Sequence, residues 1–147
     1  MTTAYAHYDR LFRRVVREEG ALDNETITSI IGFSAGGPVS ICRVTSRNVY
    51  VTCELSLYPS QRVSAQGVRF ELLSRAGLEE STTISMLTAL GNFSMNVKLG
   101  DGHTVDLRAV LPKQGVGSVR LSLYSRVGFL WPRYGIYEVT PLGRHGT

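Results

Sequence analysis

The sequence predicts an α+β protein, a mostly antiparallel sheet with two main helices packed against it. Three observations carry this. Two stretches repeat their apolar residues at helical spacing. Six to eight short runs alternate apolar and polar residues and are joined largely by hairpin turns. The runs do not alternate regularly with helices, which argues against a doubly wound parallel sheet.

Residues 4–18, "AYAHYDRLFRRVVRE", place Tyr8, Leu11, Phe12 and Val15 on one stripe with arginine and glutamate between them, and Gly20 supplies the stop. "TITSIIGF" is β-branched and strand-like. "GGPVSICRVTSRNVYVTCELSLYP" reads as two strands around a short turn, the second running as far as Pro59. With the turn centred on Arg47-Asn48, Cys42 falls directly opposite Cys53, where Cβ atoms sit about 4.5–5.5 Å apart. The expected state is two buried thiols acting as small apolar groups rather than a disulfide.

"SQRVSAQG" is polar and reads as a loop, while residues 68–77, "VRFELLSRAG", fit either a strand or a helix. "LEESTTISMLTAL" has acids in its first turn and Ile84, Leu87 and Leu90 at helical spacing, so the second helix is expected here, ending at Gly91. Asp101-Gly102 between two alternating runs is a hairpin signal. In "SVRLSLYS", Val119, Leu121 and Leu123 face one way and Arg120, Ser122 and Tyr124 the other. A last strand is expected from Tyr134 to Val139. The 147 residues are expected to form a single domain, with residues 140–147 a frayed tail.

Hydrophobic residues make up 43% and charged residues 19%, the composition of a packed globular core. No apolar run approaches the roughly 18 residues of a membrane span, and Met1 to Arg17 lacks an apolar signal region, so a cytoplasmic protein with no membrane partner is expected. The net charge is +4, nearly all from arginine. Arg13, Arg14 and Arg17 form a local basic patch without interleaved stacking aromatics, so a nucleic-acid partner is not expected. No cysteine or histidine spacing fits a metal, and the glycine-rich turns lack a phosphate-loop lysine, so no cofactor is expected.

Gly32-Phe33-Ser34-Ala35-Gly36 spells the nucleophile elbow of serine hydrolases, G-x-S-x-G. That chemistry requires a helix leaving the turn and a downstream acid and histidine. Gly36-Gly37-Pro38 leads instead into a β-branched strand, and the downstream histidines are His103, in a turn with Asp101, and His145, in the tail. The glycines are better explained as a bend between strands. Glu18-Glu19 and Glu79-Glu80 are adjacent pairs expected on solvated faces. Glu54 and Glu71 sit in apolar surroundings and are expected to pair with arginines such as Arg69 or Arg75. The run Phe129-Leu130-Trp131-Pro132-Arg133-Tyr134 combines the residue types of binding hot spots. Core packing explains the run as well, and on the sequence the two readings stand level. Phe129, Trp131, Arg133 and Tyr134 are the candidate binding residues.

The order of the pieces resembles the bacterial suppressor-of-fused-like domain. The matching pieces are Thr52 to Ser56, Arg69 to Leu73, Gly100 to Thr104 and Tyr137-Glu138, and the resemblance spans most of the chain. It implies a non-enzymatic interaction domain, with members linked to toxin systems as immunity proteins that bind and neutralise a cognate effector. The expected function is therefore a cytosolic immunity protein. A small serine hydrolase using Ser34 and a nucleic-acid-associated protein using Arg13, Arg14 and Arg17 are the alternatives.

Overall fold

The computed structural model describes residues 10–22, 28–30, 39–44, 47–111 and 116–142. Seven strands form one sheet: β1 (Thr28–Ile30), β2 (Val39–Arg43), β3 (Tyr50–Cys53), β4 (Val68–Ser74), β5 (Thr104–Asp106), β6 (Ser118–Val127) and β7 (Arg133–Pro141). The order across the sheet is β1-β2-β3-β4-β7-β6-β5. Five of the six pairings are antiparallel, and the central one, β4 with β7, is parallel. Helix α1 spans Arg13–Glu19 and α2 spans Glu80–Phe93. The expected α+β architecture is present.

Successive residues along the central strands go to different cores, so the helices lie on opposite faces. Leu72, Tyr137 and Tyr50 join Met86, Leu87 and Leu90 of α2. Leu73, Ile136, Val51 and Tyr124 join Leu11, Phe12 and Val15, the stripe that the sequence assigns to the first helix. Residues 4–9 of that expected helix lie outside the described residues. Each fully buried Leu or Val contributes about 1.5–3 kcal/mol. Gly20 closes α1 with its N–H on the Val16 carbonyl at φ 118°.

Residues 68–74 are strand, not helix, and nearly every position is buried because helices cover both faces of the sheet here. β3 ends earlier than the sequence predicts. It stops at Cys53, Glu54 turns into the left-handed region at φ 81°, and Leu55–Leu57 form a short 3-10 turn. The cause is Glu71, fully buried on β4. Its carboxylate accepts from the Thr52 hydroxyl (2.7 Å), the Leu55 and Ser56 amides (3.1 and 2.9 Å) and the Ser56 hydroxyl (2.6 Å). Along the same edge of β4, the Thr52 hydroxyl accepts the Leu72 N–H, and the Gln61 amide bonds both the N–H and the carbonyl of Phe70. Side chains thus continue the ladder that β3 leaves unfinished.

Other expectations change for local reasons. Cys42 pairs with Val51, and Cys53 with Ser40, two residues away from direct opposition, because the turn is tightened by Arg47 N–H on the Val44 carbonyl. α2 runs through Gly91 to Phe93, since Leu90 and Gly91 are buried in its packed face. Asp101-Gly102 makes a turn but no hairpin. β5 pairs with β6, while Met95 and Leu99 sink into the core and the Leu99 carbonyl accepts from Ala65. Residues 140–142, expected to start a frayed tail, belong to the sheet: Thr140 and Pro141 pair with Arg120 and Val119 and the Leu142 N–H reaches Ser118.

Glu18 lies on an exposed face as expected, while Glu19 is largely covered. Both approach the Arg75 guanidinium, at 3.7 and 3.0 Å, and Arg75 also holds Glu138 at 2.6 Å. Arg14 lies over the Tyr124 ring, bonds Glu18 and donates to the Tyr124 carbonyl. The Tyr124 hydroxyl donates to Glu18 at 2.9 Å. This cluster clamps α1 to β6.

Two outcomes are expected. Replacing Glu71 with alanine strands four buried donors, so urea unfolding of Glu71→Ala should show a loss of about 3 kcal/mol or more. The Tyr124 hydroxyl is pushed up to about 12 by burial and then by Glu18. The unfolded chain therefore loses this proton near pH 10 while the folded one keeps it. Stability is full below that value and falls as pH rises towards about 12, and Tyr124→Phe should flatten that part of the urea-midpoint profile.

Candidate interaction surface at the β6–β7 loop

β6 and β7 form the longest ladder of the sheet, from Val119 with Pro141 to Val127 with Tyr134. A bulge at Leu123–Ser125 bends it, and Gly135 permits the close approach. A Cβ there would stand 2.8 Å from the Ser125 carbonyl oxygen. β7 is further braced by β4, where Val68 pairs with Arg133. The loop between the two strands is thus carried on a rigid support.

Its side chains point into solvent. Phe129 is 82% exposed, Leu130 72% and Trp131 74%. Those values exclude core packing for Phe129, Leu130 and Trp131. Three consecutive large apolar residues at one loop tip form a patch, unlike the scattered single apolar residues of an ordinary surface. Trp131 is steadied from one side. Its indole edge lies over Gly67, where an added Cβ would meet Nε1 at 3.1 Å, and the Arg133 N–H donates to the Gly67 carbonyl at 2.9 Å. Arg133 is half-buried, and Tyr134 is half-buried against the α1 core. The structure therefore presents Phe129 and Trp131 of the expected set outward. Tyr134 turns back to anchor the loop, and Leu130 completes the patch.

Two arginines flank the loop in the sheet. Between Asp106 and Glu138 the sequence has no carboxylate side chain, and Arg126 and Arg133 flank the loop on the two strands that carry it, while Arg120 lies at the far end of β6 opposite Thr140. Arg126 is exposed. This charge gap was readable in the sequence, although a count of the whole chain hides it.

The other candidates within the described residues resolve into structure. The Ser34 motif lies outside the described residues. Asp101 accepts the Leu123 N–H at 2.7 Å and its own N–H donates to Gln66, so it ties a turn to β6, beside an exposed His103. Glu54 accepts from Ser40 at 2.7 Å. Arg69, one of the arginines expected to pair with a buried acid, donates to the Tyr58 and Gln61 carbonyls, and Arg75 serves Glu19 and Glu138. Of the basic patch, Arg14 is committed to Glu18 and Tyr124, leaving Arg13 and Arg17 exposed. A groove of about 510 Å³ between the end of α2 and β5 has an apolar floor of Phe93, Val97, Leu99 and Val105, but Asp106 on its rim is held by Arg108. Among the described residues, no group of three or more histidine, cysteine, aspartate and glutamate side chains is placed to hold a metal ion, and no helix is long and apolar enough to cross a membrane.

No family model, no curated protein and no solved structure matches the chain.

Trp131 is the single tryptophan, so its fluorescence reports the loop alone. The native emission maximum and acrylamide quenching should lie close to those of the urea-unfolded chain. Gly67→Ala should shift the native spectrum by displacing the indole.

Proposed function

We propose that the chain is a non-enzymatic interaction domain that works by contact through the β6–β7 loop. The observation that carries this is the exposure of Phe129, Leu130 and Trp131 on a rigid ladder. Large aromatic side chains lose little conformational freedom on binding and bury much area, the properties of hot-spot anchors. Arg126 and Arg133 beside the loop favour a protein partner with pockets for these anchors and an acidic rim. The finer reading, a cytosolic immunity protein that neutralises a cognate toxin or effector, rests on the resemblance to the suppressor-of-fused-like domain. The pieces that carry that resemblance have structural work here. Thr52, Ser56 and Glu71 make the buried carboxylate cradle, and the Tyr137 hydroxyl donates to Gln66 beside Ser64. Residues so used leave function to the loop.

The test is binding to the polypeptide encoded beside this chain, measured by calorimetry. Trp131→Ala and Phe129→Ala should each weaken association by about 2 kcal/mol or more, roughly 30-fold. Val110→Ala, at an apolar residue exposed elsewhere, should leave it unchanged. Unaltered affinity in both loop variants overturns the reading. So does insertion of Trp131 into anionic vesicles, seen as a blue shift of its emission, because the loop would then face lipid.

A further inference from the structure

The loop and its partner leave one reactive group of the molecule unused. Cys42 and Cys53 lie on neighbouring strands with their side chains on the face that α1 covers, both half-buried against the α1 core. Their sulfur atoms are 3.2 Å apart. A two-residue offset across antiparallel strands ordinarily holds side chains well apart. Here both thiols are turned toward each other, and a covalent bond needs a closing of about 1 Å, within the reach of side-chain rotation. The hydrogen bond to Cys42 and then burial push the Cys53 thiol up. Neither cysteine is fully buried.

We propose that Cys42 and Cys53 are an oxidisable dithiol, which a small disulfide such as glutathione disulfide converts into an intrachain bridge between β2 and β3. One thiol gives its proton to solvent and attacks a sulfur of the reagent, forming a mixed disulfide and expelling one glutathione thiolate. The second thiol, deprotonated in turn, attacks the protein sulfur of the mixed disulfide and expels the other. The protein loses two hydrogens and two electrons, and the reagent gains them as two thiols. The bridge lies beside the bend at Glu54, which is already tied to Ser40. Oxidation therefore locks the outer strands to the centre of the sheet. This inference does not depend on the loop or on what it binds.

The experiment treats the folded, full-length protein with glutathione disulfide and reads intact mass, a peptide map and the melting temperature. The expected product is a monomer lighter by two hydrogens, with the peptides of Cys42 and Cys53 joined. Its melting temperature should be higher by roughly 5–10 °C, and dithiothreitol should reverse the change. In Cys42→Ser and in Cys53→Ser, each of which lacks one of the two thiols, no intrachain bridge should form and the melting temperature should not rise. Two free thiols after treatment of the wild-type protein, a persistent glutathione adduct on it, or a bridge between two chains overturns the proposal.

Discussion

A single buried carboxylate organises this molecule. A charge-bearing group in an apolar interior is tolerated only when donors surround it. Glu71 gathers two hydroxyls and two backbone amides from a five-residue stretch, Thr52 to Ser56. The need to bring those donors inward ends β3, bends the chain at Glu54 and drops Leu55 into the core. With β3 cut short, the half of β4 it leaves unpaired must find other partners, and Thr52 and Gln61 supply them. The position of β4, and so of β7 and the loop that precedes it, follows from this one arrangement.

Much of the fold was legible in the sequence because it rests on local periodicity. Leu11, Phe12 and Val15 marked one helix, Ile84, Leu87 and Leu90 the other, and Val119, Leu121 and Leu123 the inward face of β6. What sequence reading missed depends on contacts between distant residues. The end of β3 is set by an acid on β4. Gly91 is a helix stop in sequence terms, yet the buried contacts on both sides of it keep the helix going. The Asp101-Gly102 turn is present, but Asp101 reaches β6 and Gln66 instead of closing a hairpin. The cysteine register failed by the same logic, since one hydrogen bond in a turn displaces every later pair.

The candidate surface was half legible. Residue types named Phe129 and Trp131, but exposure is a property of packing, and alternation breaks down in a loop. Tyr134 illustrates the limit. It belongs to the same run and has the same chemistry, yet it faces the α1 core because the pleat of β7 turns it there. The surface therefore combines an outward aromatic patch with an inward aromatic root.

The parallel pairing at the centre of the sheet shapes how the chain is made. Val68 and Arg133, neighbours across β4 and β7, are 65 residues apart in sequence. During synthesis, β1 to β4 emerge well before β7 exists, and the central edge of β4 waits uncovered. Its run "VRFELLS" is rich in apolar residues and carries open backbone groups, the features that draw chains into edge-to-edge association. Arg69 and Glu71 interrupt that run with charge, so the acid that later braces the finished core also guards the nascent strand on the ribosome.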